Sequence, residues 1–210
     1  MSRLAQRHPR RPPTNYFDSN AARLAANLPP EDIDLALRRA LDGMLEEDKW
    51  ANLKAGFEAL HDAREIKEKV VKAWHSMPAW LDVKPAITRL KELGYEIFVH
   101  ANGTTRLQLD LCRSSGLSFD MLFSSELLGV YKPDRDSYEK LLSLLKLKGE
   151  ECVLVAAHAY DTRGAREVGM RTVYVRRWTD DVLEDMDVVK GENDAFLEGM
   201  EGLGDVIRGF

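Results

Sequence analysis

Four short stretches of this chain carry side chains of the kinds that do chemistry, and each lies at or just behind an apolar run. The first is Asn102-Gly103-Thr104-Thr105, which follows Tyr95-Glu96-Ile97-Phe98-Val99. A turn of that composition opening into a helix offers a side-chain amide and free backbone N–H groups, the donors that hold an anion. The same residues suit a plain turn and helix cap. The second is His100, just ahead of them, which either faces the edge or lies buried beside Ala101. The third is Lys132 in Tyr131-Lys132-Pro133-Asp134, a cation that reads equally as a solvated loop residue. The fourth is Ala156-Ala157-His158-Ala159-Tyr160-Asp161, where a histidine, a tyrosine and an aspartate stand behind a buried strand. Such groups exchange protons when their surroundings tune them. Asp161 also suits the cap of the next helix, and His158 a neutral, hydrogen-bonded histidine. The histidines lack metal-ligand spacing, and neither a metal nor another cofactor is expected.

The elements that must position these residues alternate. A helix from Pro85 to Leu93 closes at Gly94, and the strand ending at Val99 follows. A helix over 105–115 then ends at Gly116, and Met121-Leu122-Phe123 is a short strand. A helix from Asp136 to Leu147 leads to the strand Cys152–Ala157. A helix from Thr162 to Val168 leads to Thr172–Val175. Strands separated by helices of this length predict an α/β fold, a parallel sheet wound with helices, whose ligands sit at the carboxyl edge. The acidic segment from Asp180 is expected to be helical in part.

What precedes is helical. Ser19 or Asn20 is placed to cap a short helix that Pro29-Pro30 ends. Ile33, Leu37, Leu41 and Met44 share one face of a second helix. Trp50, Leu53, Phe57 and Leu60 recur at helical spacing, as do Ile66, Val70, Trp74 and Met77. The tryptophans are assigned to a core or helix seam, with a ligand pocket as the alternative. The chain thus divides into a basic tail over 1–17, a helical cap-like lobe over 18–80 and an α/β core over 81–210.

With 44% hydrophobic and 31% charged residues, the composition is that of a globular protein. A net charge of −5 leaves no basic face for nucleic acid. Arg3, Arg7, Arg10 and Arg11 among prolines form a basic leader expected to be disordered. It lacks the apolar core of a signal peptide, and no apolar run is long enough for a membrane span. Cys112 and Cys152 are expected to be reduced and packed. A cytoplasmic location follows as an expectation.

From about Trp80 to Asp181 the chain resembles the haloacid dehalogenase (HAD) superfamily, in its type II (L-2-haloacid dehalogenase-like) branch. The blocks that carry the resemblance are His100-Ala101-Asn102-Gly103, Ser124-Ser125-Glu126, Tyr131-Lys132-Pro133-Asp134, Ala156 to Asp161, Gly169-Met170 and Tyr174-Val175-Arg176-Arg177. Their wording is most similar to fungal members. The resemblance implies a doubly wound parallel sheet under a helical cap, with a homodimer formed through the cap. It implies that Ala101-Asn102 stands where the family's Ser-Asn holds a substrate carboxylate, beside Gly103 and Thr104. It implies that Lys132 matches the lysine paired with a nucleophilic aspartate, and that His158 and Asp161, with Tyr160 between them, belong to the loop that orders the hydrolytic water.

The family opens with a buried strand leading into Asp-x-x-Gly-Thr, and no such motif occurs in this sequence. Its nearest candidate is Asp18 in Asn15-Tyr16-Phe17-Asp18-Ser19-Asn20, without the glycine turn or the threonine. Alanine stands at 101 and 156 where the family has polar residues. A covalent aspartyl route needs a placed carboxylate. The expectation is therefore a repurposed enzyme acting on a small organic metabolite, in fungal secondary metabolism, by acid–base or electrostatic catalysis. Dehydration, cyclisation, isomerisation and hydrolysis are the candidate reactions. The alternatives are a non-catalytic binding or assembly protein and a truncated hydrolase.

Overall fold

The computed structural model describes residues 16–210. The basic leader Arg3 to Arg11 lies outside them.

The first half is helical: α1 (Tyr16–Ala25), α2 (Ile33–Leu45), α3 (Ala51–Glu58) and α4 (Ala63–Ala73), with a 3-10 turn at Trp74–Ser76. Ser19 and Asn20 are not caps. They lie buried inside α1, where Asn20 Oδ1 accepts the Glu31 N–H at 2.7 Å. Asp32 caps α2 by accepting the Asp34 N–H. Ion pairs Arg38–Glu68 and Lys67–Asp42, each 2.6 Å, hold α2 against α4. Trp50, Trp74, Trp80 and Trp178 are all substantially exposed, Trp178 by 79%, so the expected tryptophan core is not there. Helical spacing tells which residues share a face, but it does not tell whether another element covers that face.

The second half alternates as expected. It runs α5 (Val83–Glu92), β1 (Phe98–Ala101), α6 (Thr105–Ser115), β2 (Met121–Ser124), α7 (Ser125–Leu128), α8 (Arg135–Leu145), β3 (Val153–Ala156), α9 (Ala159–Glu167) and β4 (Arg171–Val175). It continues with α10 (Met186–Glu192), β5 (Ala195–Leu197) and α11 (Leu203–Arg208). Gly116 takes φ +66° to end α6, a left-handed geometry that glycine adopts without a Cβ clash.

All strand pairs are parallel. β1 pairs with β2, and β3, β4 and β5 form a separate sheet in that order. Successive side chains of a strand point to opposite faces. Leu154 accordingly joins Phe98, Phe123, Tyr138 and Leu142 on one face. Val153 and Val155 join Ile97, Leu90, Val173 and Leu203 on the other. Helices α8 and α9 cover the first face, α5 and α11 the second. The β1 and β3 segments thus flank the same core on both faces, yet among the described residues no ladder joins the two sheets, and no strand precedes Phe98. β4, paired on both sides, is the buried centre: Thr172, Val173 and Tyr174 are fully enclosed.

Candidate active site at the carboxyl edge

The polar residues singled out by sequence gather behind the strand ends, and they divide into two clusters. The first centres on Lys132. Its Nζ donates to Asp161 Oδ2 at 2.7 Å, with both side chains less than a tenth exposed. Tyr138 of α8 donates its hydroxyl to the Asp161 carbonyl and lies 3.3 Å from Oδ1. Burial and the Asp161 charge push the Tyr138 phenol far above its ordinary range, so it stays a neutral donor. Asp161 lies in the first turn of α9 and caps nothing; its side chain turns inward to the lysine.

His100 sits beside this pair. Its Nε2 meets Ser137 Oγ at 2.8 Å and its ring packs edge-on to Tyr138, while Nδ1 is buried without a partner among the described residues. Burial, and then the charge of Lys132, lower its pKa to about 3. His100 is neutral at physiological pH. It can orient neighbours but cannot hold a proton for transfer there.

The loop after β1 is tied to its neighbours at several points. Asn102 donates Nδ2 to the Lys132 carbonyl at 2.8 Å and accepts the Lys132 N–H at 2.7 Å. Gly103, at φ +133°, donates its N–H to Ser125 Oγ. Thr104 Oγ1 caps α6 by accepting the Leu107 N–H, and the Thr105 N–H goes to Glu126. The turn-and-cap reading accounts for each of these groups, and the side-chain amide of Asn102 is spent on holding Lys132 in place. The anion-binding expectation for Asn102, Gly103 and Thr104 gains nothing from this geometry.

The second cluster contains residues that the sequence reading missed. His158 Nδ1 lies 3.3 Å from Asp181 Oδ1, and its Nε2 lies 3.6 Å from Asp180. Tyr160 stacks on the imidazole at 5.2 Å, with the ring planes 15° apart. The other Asp181 oxygen accepts the Ala159 N–H at 2.6 Å and the Tyr174 hydroxyl at 3.2 Å. Burial and the Asp181 charge push Tyr174 up to about 12. An Asp-Asp pair a few residues past a strand end was the available signal for this cluster. The backbone of α9 joins the clusters, since the Asp161 N–H donates to the His158 carbonyl.

Among the described residues, no set of three His, Cys, Asp or Glu side chains could hold a metal ion. No helix there is long and apolar enough to cross a membrane. A cavity of about 400 Å³ opens elsewhere, between α2 and α4, lined by charged groups including Arg38, Asp42, Arg64 and Glu68. Asp18 stands in the first turn of α1 rather than behind a strand.

Parallel strands, helices on both faces and buried polar pairs behind the strand ends define an α/β protein of Rossmann-like architecture. The sequence pattern of the haloacid dehalogenase-like hydrolases matches residues 10–169, and the chain belongs to that family. Its sequence is 28% identical over 120 residues to (S)-2-haloacid dehalogenase 4A of Burkholderia cepacia, which covers 56% of this chain and 52% of that protein. PpaX of Caldanaerobacter subterraneus subsp. tengcongensis, provisionally named a pyrophosphatase, is 31% identical over 181 residues, 85% of this chain and 75% of that one. Among solved structures, the L-2-haloacid dehalogenase PA0810 superposes with a TM-score of 0.74 at 27% identity, covering 93% of this chain and 80% of that chain. The matched stretch spans about half the length of the haloacid dehalogenase from Burkholderia.

Proposed function

We propose that this protein is an enzyme of small-molecule metabolism that works at the carboxyl edge by acid–base and electrostatic catalysis, without a covalent aspartyl intermediate. The observation that carries this is the pairing of Lys132. Among the described residues its one carboxylate contact is Asp161, a first-turn residue of α9 enclosed against Tyr138, too buried to attack a substrate. The groups open to a ligand are those of the second cluster, where the His158 side chain is 39% exposed. Asp181 orients the imidazole through Nδ1, leaving Nε2 to accept a proton from water or from a substrate carbon or hydroxyl. A positioned base of this kind contributes about 10²–10⁴-fold in rate. Tyr160 fixes the plane of the ring, and the buried Lys132–Asp161 pair holds in register the loops that carry it. Hydrolysis is the reaction class of the family and would run here by direct water attack, and dehydration, cyclisation or isomerisation use the same base. A place in fungal-type secondary metabolism, a cytoplasmic location, and a homodimer through the exposed apolar residues of the helical segment belong to this reading.

A second reading is favoured by one observation: among the described residues no ladder joins the edges of β1 and β3. Exposed parallel edges are templates for pairing. A binding or assembly protein, or a hydrolase sheet lacking its first strand, would use that slot for another segment.

The two readings part on a simple experiment. The protein and its His158→Ala variant are incubated with 2-haloacids, phosphate esters and a metabolite extract. The enzyme reading predicts consumption of a species by the parent and a loss of at least a hundredfold in the variant. Equal behaviour of the two proteins contradicts it.

A further inference from the structure

His75 lies outside both clusters and has an unusual pair of partners. It stands in the 3-10 turn after α4, with its side chain only 14% exposed. Nε2 meets Asp34 Oδ1 at 3.0 Å, in the first turn of α2, and Nδ1 meets Asp110 Oδ2 at 2.9 Å, on α6. A neutral imidazole has one N–H and one lone pair. With a carboxylate on each nitrogen, two N–H donors are required, and only the imidazolium has both. A neutral ring would turn its lone pair on one of the carboxylates.

We propose that His75 is a pH-operated clasp: protonated, it pins the first turn of α2 to α6 and so holds the helical segment over the start of the β1 loop. The consequence for the edge follows from what adjoins each partner. Ile33, next to Asp34, lies so near Gly103 that a Cβ added there would meet Ile33 Cγ2 at 3.7 Å. Helix α6 begins at that same loop, and Ser114 Oγ donates to the Met77 carbonyl, tying down the chain just past His75.

The charged groups that act on the ring are Asp34 and Asp110; the elements that carry these residues also bear Asp32 at the cap of α2, Arg38 on α2, Arg106 and Arg113 on α6, and Lys72 in the last turn of α4. Arg106 and Arg113 pair with Asp110 at 3.1 and 3.3 Å, which leaves Asp34 most dependent on the imidazolium. Burial lowers the His75 pKa, but hydrogen bonds and charge from Asp110 and Asp34 outweigh it, and the net direction is upward. A histidine with a raised folded-state pKa stabilises fully below its unfolded pKa. That contribution is lost as pH rises through the folded value. The clasp therefore loosens on the alkaline side, whatever the edge binds.

The test combines side-chain NMR with hydrogen exchange, corrected for intrinsic rates, on the full chain between pH 5.5 and 9. The expected result is a His75 midpoint above that of an ordinary histidine and protection over residues 33–37 falling at least tenfold through it. His75→Gln should lack the step, and Asp34→Asn should lower the midpoint, which keeps the test open if the first variant folds poorly. A midpoint at or below the ordinary histidine value, or the same exchange step in His75→Gln, overturns the proposal.

Discussion

Lys132 and Asp161 meet at 2.7 Å from loops 29 residues apart, one ahead of α8 and the other inside the first turn of α9. Asn102 fixes the lysine's backbone from a third loop, and Tyr138 fixes the aspartate from below. Three strand ends are thereby joined by one buried polar network. Removing one partner of a buried pair leaves an uncompensated charge, whereas removing both need not.

The first prediction follows from that asymmetry. Lys132→Met should cost about 3–5 kcal/mol of stability. A Lys132→Met/Asp161→Asn double variant should recover a sizeable part of that loss. Urea unfolding of the parent, both singles and the double measures the coupling; a double variant whose cost equals the sum of the two singles would show that the pair is inert.

Asn102 supplies a second. Each of its two hydrogen bonds to the Lys132 backbone leaves a polar group unpaired when removed, so Asn102→Ala should destabilise by about 1–3 kcal/mol. Asn102→Asp keeps the acceptor, loses the donor to the Lys132 carbonyl, and should fall between. Thermal unfolding resolves the order.

Packing beneath the network supplies a third. A Cβ at Gly164 would lie 2.7 Å from Tyr138 Cε2, with both residues enclosed. Gly164→Ala should cost about 1–3 kcal/mol through overpacking, and should cost less when introduced into a chain that already carries Tyr138→Leu, whatever that background costs by itself. Unfolding midpoints of the parent, both singles and the double check this.

Acid stability carries a fourth. The His100 pKa, near 3, is below its unfolded value of 6.5, so the unfolded chain binds the proton first. Stability from this group is complete above the unfolded value and is lost as pH falls toward the folded one. The full span is about 5 kcal/mol. His100→Gln should flatten the slope between pH 6 and 4, measured by urea unfolding at each pH.

How much of this could be read from the chain follows from what each signal encodes. The β-branched runs at 153–155 and 172–175 and the glycines at 94, 116 and 169 mark element ends, because local sterics decide those. Ala195-Phe196-Leu197, three residues between Asp194 and Glu198, is too short to show a period, and β5 was missed. Lys132 and Asp161 were identified singly, but their pairing depends on which way side chains turn in the folded edge. Asp180 and Asp181 passed as members of an acidic tail because composition hides that Asp181 bonds the start of α9. The capping alternative holds for Thr104, while Asn102 bonds the backbone of a distant loop, since Asn, Gly and Thr satisfy backbone groups wherever a strand turns into a helix.

The central claim, catalysis without a covalent aspartyl intermediate, is tested most directly by a single turnover in ¹⁸O-labelled water with excess enzyme, followed by mass spectrometry of product and protein. The substrate is the species that the parent consumes and His158→Ala leaves intact. If the reaction adds water, the label should enter the product in the first turnover and leave the protein unlabelled; if it does not, neither should carry oxygen from water. Label appearing first in a protein carboxylate with halide released, or a covalent acyl phosphate trapped on the protein when the substrate is a phosphate ester, would contradict the account and make Asp18 the residue to replace next.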